Sequence, residues 1–525
     1  MRRALAIAAA VTAATAAASI ASPATALENG LARTPPMGWN TWNTFECTIN
    51  ETLVKQTTDL MVSSGMRDRG YTYVNLDDCW MTRSRDGAGN LVADPAKFPG
   101  GLKALGDYIH ARGMKFGIYE SAGTMTCQSY PGSLGHEQAD ATLFASWGVD
   151  YLKYDNCFTN GSNSQADYIR RYSAMRDALQ ATGRPIVYSI CEWGDFASAT
   201  WAADVGNLWR TTGDITNNWG TVDALYRQNV GLASAAKPGA WNDPDMLEVG
   251  NGMDFREDRA HFTLWAAMAA PLIAGADLRA ASVAAFSTYL NPDVIAVDQD
   301  PLGKQARRIA TGDGMDVLAK PLRGGDVAVV LFNENSATRT ISTTAAAAGL
   351  PTASSYRLTN LWSKELTTST GAISANVPSH STVIYRVKAG ATGPSGTSRP
   401  IQGASSARCI DINGTAPRPG PQVDIWDCDG GSNQAWTFTG AGELTADGLC
   451  LDAGGGTSAA GTKLIAFTCH GGANQKFRLE ADGSITQAGL CVDVTGGDKP
   501  AGNVNGTQLE LWGCNDDANQ NWAFK

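Results

Sequence analysis

The run Tyr151-Leu152-Lys153-Tyr154-Asp155-Asn156-Cys157 (YLKYDNC) is β-rich, too short for a helix, and carries an acid near its end. A helical pattern follows it over Ala166–Thr182, and a further β-rich run, Pro185–Trp193, follows that. Reading outward in both directions finds the same alternation. β-rich runs lie at Met37–Phe45, Tyr71–Trp80, Met114–Ser121, Val149–Asn156, Pro185–Trp193, Leu208–Asp214, Ala240–Leu247 and Pro271–Leu278, with helical segments such as Gly101–Arg112 and Phe255–Met268 between them. Eight strand–helix alternations over about 250 residues predict the α/β class and a closed (β/α)8 barrel. The rival is an open doubly wound sheet, but no GxGxxG turn follows the first run.

Beyond the barrel, assigned to residues 27–302, the pattern changes. Alternating runs at Asp326–Phe332, Tyr356–Leu361 and Ser381–Val387 predict a small antiparallel β domain over 303–389. Residues 390–398 (GATGPSGTS) have linker composition. The last segment, 399–525, repeats three times. Its repeats end in Asn433-Gln434-Ala435-Trp436, Asn474-Gln475-Lys476-Phe477 and Asn519-Gln520-Asn521-Trp522, preceded by the cysteine pairs Cys409/Cys428, Cys450/Cys469 and Cys491/Cys514. A period near 40 residues with a Q-x-W-like end is a repeat signature. The segment resembles the ricin B-type β-trefoil, carbohydrate-binding module family 13.

Composition narrows the classes further. The net charge of −10, with no basic run, disfavours a nucleic-acid partner. Five scattered histidines and no HExxH disfavour a metal site, and nothing calls for a cofactor. Met1-Arg2-Arg3, the alanine-rich Ala4–Ala18 and Ala24-Thr25-Ala26 read as a signal peptide over 1–26, so export is expected. No later run is long enough to span a membrane. Export permits disulfides, and eleven cysteines leave one thiol over.

The chemistry lies where the predicted strands end, since a barrel of this kind builds its site from its C-terminal face. Those ends carry Trp39 and Trp42; Asp77-Asp78-Cys79-Trp80; Tyr119; Lys153 and Asp155; Cys191-Glu192-Trp193; Arg210 and Asp214; and Asn242-Asp243-Pro244-Asp245-Met246. An isolated aspartate at a strand end serves as a helix cap or turn former, and an isolated tryptophan as core. Seven of eight ends bearing sugar-compatible groups is a convergence that independent caps do not produce. Pyranoside hydrolysis needs this set: hydroxyl acceptors, an apolar platform and two working carboxyls.

The stretches PPMGWNTWNTF (Pro35–Phe45), NLDDCW (Asn75–Trp80), YLKYDNC, CEWG (Cys191–Gly194), WRTTGDI (Trp209–Ile215) and WNDPDML (Trp241–Leu247) resemble glycoside hydrolase family 27, the α-galactosidase family. The resemblance covers about Arg33 to Ala389. It implies a retaining exo-glycosidase with Asp155 as nucleophile and Asp214 as general acid/base. It further implies sugar contacts from Trp42, Asp77, Asp78, Tyr119, Lys153, Cys191, Glu192, Trp193, Arg210, Asp245 and Met246. Lys153 lies two residues before Asp155 on the same strand face and is expected to keep it ionised. Asp214 is expected to have a raised pKa as the proton donor. The resemblance pairs Cys47 with Cys79 and Cys127 with Cys157, and leaves Cys191 as the thiol. One departure stands out. Many relatives have a small residue and then Asp after the tyrosine, whereas this chain has Glu120-Ser121.

The trefoil resemblance implies sugar sites at Asp411, Trp426 and Asn433, at Asp452, Phe467 and Asn474, and at Asp493, Trp512 and Asn519, with disulfides within each cysteine pair. The partners expected are galactoside oligo- or polysaccharides at the barrel and a carbohydrate polymer at the trefoil. Alternatives within the family are β-L-arabinopyranosidase and α-N-acetylgalactosaminidase. From another class, the alternative is a non-catalytic carbohydrate-binding protein.

Overall fold

A computed structural model describes residues 27, 29–161, 163–390, 397–414, 420–497 and 502–525. The predicted signal segment 1–26 and linker residues 391–396 lie outside the described residues. Eight parallel strands, β1 (Met37–Asn40), β2 (Tyr73–Leu76), β3 (Lys115–Ser121), β4 (Tyr151–Asp155), β5 (Val187–Cys191), β6 (Leu208–Arg210), β7 (Trp241–Asp243) and β8 (Leu272–Ala274), form one sheet in the order β7-β6-β5-β4-β3-β2-β1-β8. Just past β7, Leu247 closes the ring. Its N–H donates to Ile273 O at 2.8 Å, and Gly275 N–H donates back to Leu247 O at 2.8 Å. The sheet is therefore a barrel, and the open doubly wound alternative is excluded.

Helices follow the strands: α1 (Trp42–Phe45), α2 (Glu51–Ser63), α3 (Gly101–His110), α4 (Glu137–Trp147), α5 (Gln165–Ala181), α6 (Trp219–Asn229), α7 (Phe255–Met268), α8 (Val283–Tyr289) and α9 (Pro292–Asp298). Several start where the sequence supplies a cap. Asn50, Ser164, Asn218 and Asp254 each accept a backbone N–H in the first turn of α2, α5, α6 and α7. The floor of the barrel is plugged by Tyr73, Tyr151, Val187, Leu208 and Trp241. Trp241 Nε1 donates to Ala32 O at 2.7 Å, which ties the incoming chain across that end. The described residues thus close this end, and the strands terminate at the opposite one, which is open to a ligand.

Downstream, β9 (Arg307–Gly312), β10 (Met315–Pro321), β11 (Val327–Asn333), β12 (Arg339–Thr344), β13 (Tyr356–Asn360), β14 (Leu366–Ser369), β15 (Ala372–Val377) and β16 (Ser381–Ala389) form a six-stranded antiparallel sheet and a β12–β15 ribbon. Strands from Ile401–Gly403 to Trp522–Phe524 build the C-terminal trefoil around Trp436, Phe477 and Trp522, the aromatic ends of the three repeats. Among the described residues no helix is long and apolar enough to cross a membrane.

The trefoil meets the rest of the chain through direct contacts as well as its linker. It docks on α7, whose residues from Asp258 to Met268 are buried. Arg256 pairs with Asp516 at 2.5 Å, and Arg259 donates to Asn521 Oδ1 at 2.7 Å and Asp482 O at 3.2 Å. Arg259 also lies 4.3 Å from the Trp362 ring centroid. Asn360 donates to Ala481 O at 2.6 Å, and Phe524 N–H donates to Ser363 O at 2.9 Å. The two arginines carry the charged part of this seam, and removing them takes a donor from Asn521 Oδ1 and the cation from Asp516. The double variant Arg256→Ala/Arg259→Ala is expected to lower the melting temperature by about 2–4 °C per kcal/mol lost. It should also speed proteolytic cleavage between the two parts. Unchanged melting and cleavage would show that these contacts do not hold the trefoil in place.

Candidate active site

At the open end of the barrel, a pocket of about 400 Å³ is lined by Trp42, Asp77, Asp78, Tyr119, Cys127, Lys153, Asp155, Cys191, Trp193, Arg210, Asp214, Asp245 and Met246. Strand register brings the parts together. Asp155 ends β4 opposite Ser121 on one side and Cys191 on the other. Lys153 lies opposite Tyr119 and Ser189. Alternation along the strands then turns Tyr119, Lys153, Asp155, Cys191 and Trp193 to the same interior.

Asp155 is buried and held by neutral donors. Tyr119 OH donates to Oδ2 at 2.8 Å and Asn156 N–H to Oδ1 at 2.9 Å. Burial pushes its carboxyl above the ordinary range, and the Lys153 ammonium, the Asn156 amide and the Tyr119 hydroxyl oppose that rise. Lys153 does not bond Asp155, however. Its Nζ pairs with Asp77 Oδ2 at 2.9 Å, an oxygen that also accepts from Asn40 Nδ2 at 2.8 Å. The expected support for Asp155 is thus a field across the pocket rather than a direct bond. Asp78 accepts from the backbone of Cys79 at 2.6 Å and Gln128 at 3.0 Å, and burial still raises its carboxyl to about 6.

Arg210 organises the other wall. It is buried and donates to Asp214 Oδ1 at 3.1 Å, and lies 3.2 Å from Asp245 Oδ2. Asp245 also accepts Ile215 N–H at 2.8 Å, which fixes the turn after β6. The Asp214 side chain is 68% exposed, at the outer lip. What burial it has would raise its carboxyl, but Arg210 and Lys153 outweigh this and bring it below the ordinary value. The expectation of a raised Asp214 is therefore reversed, because a guanidinium donates to it and most of the side chain is in water.

A second correction concerns Glu192. It is fully buried and absent from the pocket lining. It follows Cys191 and precedes Trp193, both of which line the pocket, so alternation turns it outward. Burial pushes its carboxyl up to about 8, against the Ser198 hydroxyl and the Gly194 amide. Glu120 behaves alike. It sits between inward-facing Tyr119 and Ser121, is fully buried, and burial drives its carboxyl well up. The acid of Glu120 therefore does not reach the pocket, and Ser121 is not among its lining residues either. Sequence reading missed Asn40, which donates to Asp77 Oδ2 beside Lys153, and named Asp243 only as a strand-end acid; Asp243 lines a deeper cavity with Asn75, Tyr151 and Ser189 and is raised to about 6 by burial.

Disulfides Cys47–Cys79 and Cys127–Cys157 tie the loops after β1 and β3 to the ends of β2 and β4, and Cys191 is the buried free thiol. Among the described residues, the one cluster of potential metal donors is Cys127, Asp155 and Cys157, and its sulfurs are bonded to each other. In the trefoil, Trp426, Phe467 and Trp512 are exposed by 42, 38 and 48%. Asp411 accepts from Asn433 at 2.8 Å, and Asp493 from Asn519 at 2.8 Å. The middle repeat differs. Asn474 reaches Ala453 O instead, at 3.4 Å, and His470 Nε2 stands 3.4 Å from Asp452.

Each repeat holds its own disulfide, paired as the resemblance implies: Cys409–Cys428, Cys450–Cys469 and Cys491–Cys514. The two halves of each bridge are not equivalent, which the sequence pairing does not distinguish. Cys409, Cys450 and Cys491 are buried within strands. Cys428 is only half-buried, and Cys469 and Cys514 are exposed, outside any strand. These three outer cysteines each follow an exposed aromatic by two residues: Trp426, Phe467 and Trp512. They lie at the surface because the chain there has just presented that ring to solvent. Each bridge therefore pins an aromatic-bearing strand end to the buried strand beside it, and its part in the module is structural.

A closed barrel whose open mouth carries paired carboxyls, indoles and buried cations defines a glycoside hydrolase. Residues 34–300 match the alpha-galactosidase A family profile, 312–387 the alpha-galactosidase C-terminal beta-sandwich domain, and 397–522 the ricin-type beta-trefoil lectin domain. Alpha-galactosidase 3 of Arabidopsis thaliana is 50% identical over 365 residues, covering 68% of this chain and 83% of that protein. The alpha-galactosidase of Coffea arabica is 50% identical over 362 residues, covering 68% of this chain and 95% of that protein. The crystal structure of alpha-galactosidase I from Mortierella vinacea superposes with a TM-score of 0.68 at 37% identity, over 70% of this chain and all of that one. The chain belongs to the α-galactosidase family.

The Lys153–Asp77 pair is buried, so removing one partner strands the other charge. Lys153→Met is expected to destabilise the barrel by about 3–5 kcal/mol at neutral pH. Lys153→Met/Asp77→Asn should recover much of that loss, because neither charge remains. Denaturant melts of both variants check this, and a double variant no more stable than the single one would refute the ion-pair account.

Proposed function

We propose that the chain is a secreted, retaining exo-α-galactosidase that releases terminal α-D-galactosyl residues by double displacement. The observation that carries this reading is the pairing of roles in one pocket: a buried carboxyl, Asp155, and a second, Asp214, at the lip where a leaving group must depart. Asp155 attacks the anomeric carbon and forms a glycosyl-enzyme. Asp214 protonates the departing oxygen, then as carboxylate takes the proton from the incoming water. Asp77 and Asp78 accept hydrogen bonds from the sugar's 4- and 6-hydroxyls, and Trp42 and Trp193 wall the ring. Bulky Cys191 and Trp193 leave little room for an N-acetyl group. Intact Asp77-Asp78 favours galactose over arabinopyranose, which lacks the C6 arm. Five disulfides accord with export. The trefoil holds the enzyme to a carbohydrate polymer through its exposed tryptophans.

The test of the catalytic pair has three readouts. The first-formed product by NMR is expected to be α-galactose, and Asp155→Asn is expected to abolish turnover with the fold intact. Asp214→Asn should cut rates on poor leaving groups by about 10²–10⁴ and on activated aryl galactosides far less. The pH profile adds a signed check. Catalysis needs Asp155 ionised, and burial delays that to higher pH; it needs Asp214 protonated, and Arg210 promotes loss of that proton at lower pH. The competent form is then a minor one on the acid side of neutrality, and kcat/KM should fall at alkaline pH. Asp214→Asn should remove that alkaline fall on an activated substrate, and its persistence would assign the limb to another group.

Binding at the trefoil is expected to be unequal. Trp426→Ala or Trp512→Ala should weaken pull-down by an insoluble galactoside polymer, since each removes an exposed stacking face. Phe467→Ala should change little, because the middle repeat lacks the Asn–Asp bond of the other two. A dominant loss from Phe467→Ala would reverse this assignment of sites.

A further inference from the structure

A long groove lies outside the barrel, where its flank, the antiparallel domain and the trefoil meet. It measures about 1650 Å³, including the part open to solvent. One wall is α8 and its continuation, with Val283, Phe286 and Leu290. The other is the trefoil strand Trp522–Phe524 with Arg399 and Ala404. The turn between β13 and β14 supplies Trp362 and Lys364. Phe255 and Val283, the first residues of α7 and α8, lie on the mouth side of the barrel, whereas Arg69 precedes β2 on the floor side. The groove therefore runs down the flank from the level of the mouth toward that of the floor.

Its charge is the reverse of the molecule's. The chain carries −10 overall, yet Arg69, Arg259, Lys364 and Arg399 line the groove against one acidic side chain, Asp293, which Lys364 already pairs with at 2.5 Å. Arg259 is buried, and neither it nor Arg399 has an ion pair among the described residues. Both guanidiniums lie over rings instead, Arg259 4.3 Å from the Trp362 centroid and Arg399 4.3 Å from that of Phe524. Stacking fixes each planar fork without satisfying its N–H edge. The hydrogen bonds of Arg259 come from Nη1, and Arg399 Nε is buried with no partner among the described residues. Burial lowers the pKa of Arg259 to about 9 and takes that of Arg399 below its ordinary value. Burial, joined by repulsion from Arg259, also lowers that of Lys364. Cations gathered out of water in this way are costly unless an anion meets them, and a carboxylate matches the fork of a guanidinium.

We propose that this groove is a second carbohydrate site, separate from the barrel mouth and the trefoil's exposed aromatics, which takes uronate residues of an acidic polysaccharide. It deepens the reading given above, since the acidic chain is then the polymer whose galactosyl branches the barrel removes. The groove is open and elongated, so it fits a length of chain better than an enclosed small molecule. Cations on both walls meet carboxylates spaced along that chain, and Val283, Phe286 and Leu290 offer apolar surface to the C–H faces of its rings.

The test is calorimetric titration of the full-length enzyme with tetragalacturonate, with its methyl ester, which keeps the rings and loses the charge, and with dodecanoate, an anion without rings. Tetragalacturonate is expected to bind about 10-fold or more tightly than the ester, and Arg399→Gln to weaken it by about 10-fold. Arg399→Lys, which keeps the charge and loses the fork, should fall between. Arg69→Gln, at the exposed rim, should weaken binding less and gives a second reading if Arg399→Gln fails to fold. The double variant Trp426→Ala/Trp512→Ala should leave this binding intact. Equal affinity for acid and ester would overturn the proposal, as would the absence of binding, tighter binding of dodecanoate, or a loss in the tryptophan variant with none in Arg399→Gln. Arg399→Gln should hydrolyse an aryl α-galactoside at the unmodified rate. Failure of the unmodified enzyme to cleave that galactoside would overturn the catalytic reading, a result distinct from any of the binding outcomes.

Discussion

The mouth of the barrel is a problem of buried charge. Asp77, Asp78, Asp155 and Asp245 are buried at one end of one barrel, Asp243 lies just beneath, and Lys153 and Arg210 are the cations that face them. Removing an ion from water costs several kcal/mol even after relaxation, so the site exists only because each cation is shared. Lys153 closes on Asp77, and Arg210 bridges Asp245 and Asp214. This division leaves Asp155 without a direct ion pair. Its partners are a phenol and an amide, which hold its position without tying up its charge. On the proposed mechanism, a carboxylate held that way would be free to attack, whereas one locked to an ammonium would first have to break that pair.

Keeping so many like charges close requires a backbone that does not relax. Cys79, Trp193 and Asp245, all at or beside the pocket, sit at φ of 72°, 63° and 84°. Each non-glycine residue in such a region costs about 1–3 kcal/mol. Covalent and packing constraints hold these turns. Cys79 is bonded to Cys47, Asp245 is fixed through Ile215 and Arg210, and Gly194 beside Trp193 leaves no space for a side chain. The strain thus appears where the chain aims a side chain at the pocket, and the buried bonds around it keep it there.

Much of this is legible in the sequence, for reasons that can be named. The strand ends are legible because acids and indoles are placed there by a period of two. The same period excludes Glu192, since Cys191 and Trp193 on either side of it face inward, and it places Glu120 outside for the same reason. The trefoil bridges are legible as pairs because the repeat returns each cysteine at the same place, but a repeat says nothing of depth, and only the fold puts Cys428, Cys469 and Cys514 at the surface end. What the sequence does not carry is the partner each charge chooses. Whether Lys153 bonds Asp77 or Asp155 is decided by the spacing of β2 and β4 across β3, which no linear pattern encodes. The inversion at Asp214 has the same origin: its solvent exposure and its bond to Arg210 come from a turn whose shape depends on Asp245, thirty-one residues away. The docking of the trefoil is not legible either, because nothing in the linear order of Arg256 and Arg259 names Asp516, Asn521 or Asp482 as their partners.

That docking changes how the trefoil acts. A module on a free linker raises local substrate concentration in every orientation, with an effect set by linker length. Here the loop that bears Asp516 is tied to the first turn of α7, and a helix after a barrel strand begins on the mouth side. Asp516 lies four residues from Trp512, within the third repeat. The platform of that repeat is therefore set at a fixed distance and angle from the catalytic mouth. If the trefoil holds a polymer as proposed, fixed geometry would favour one whose branch spacing fits that separation, and selectivity would then come from the seam between domains as well as from the sugar sites. The three repeats share the position of their core aromatics, Trp436, Phe477 and Trp522, but among the described residues the ion pair to α7 comes from the third, so symmetry of the fold does not give the three repeats equal surroundings.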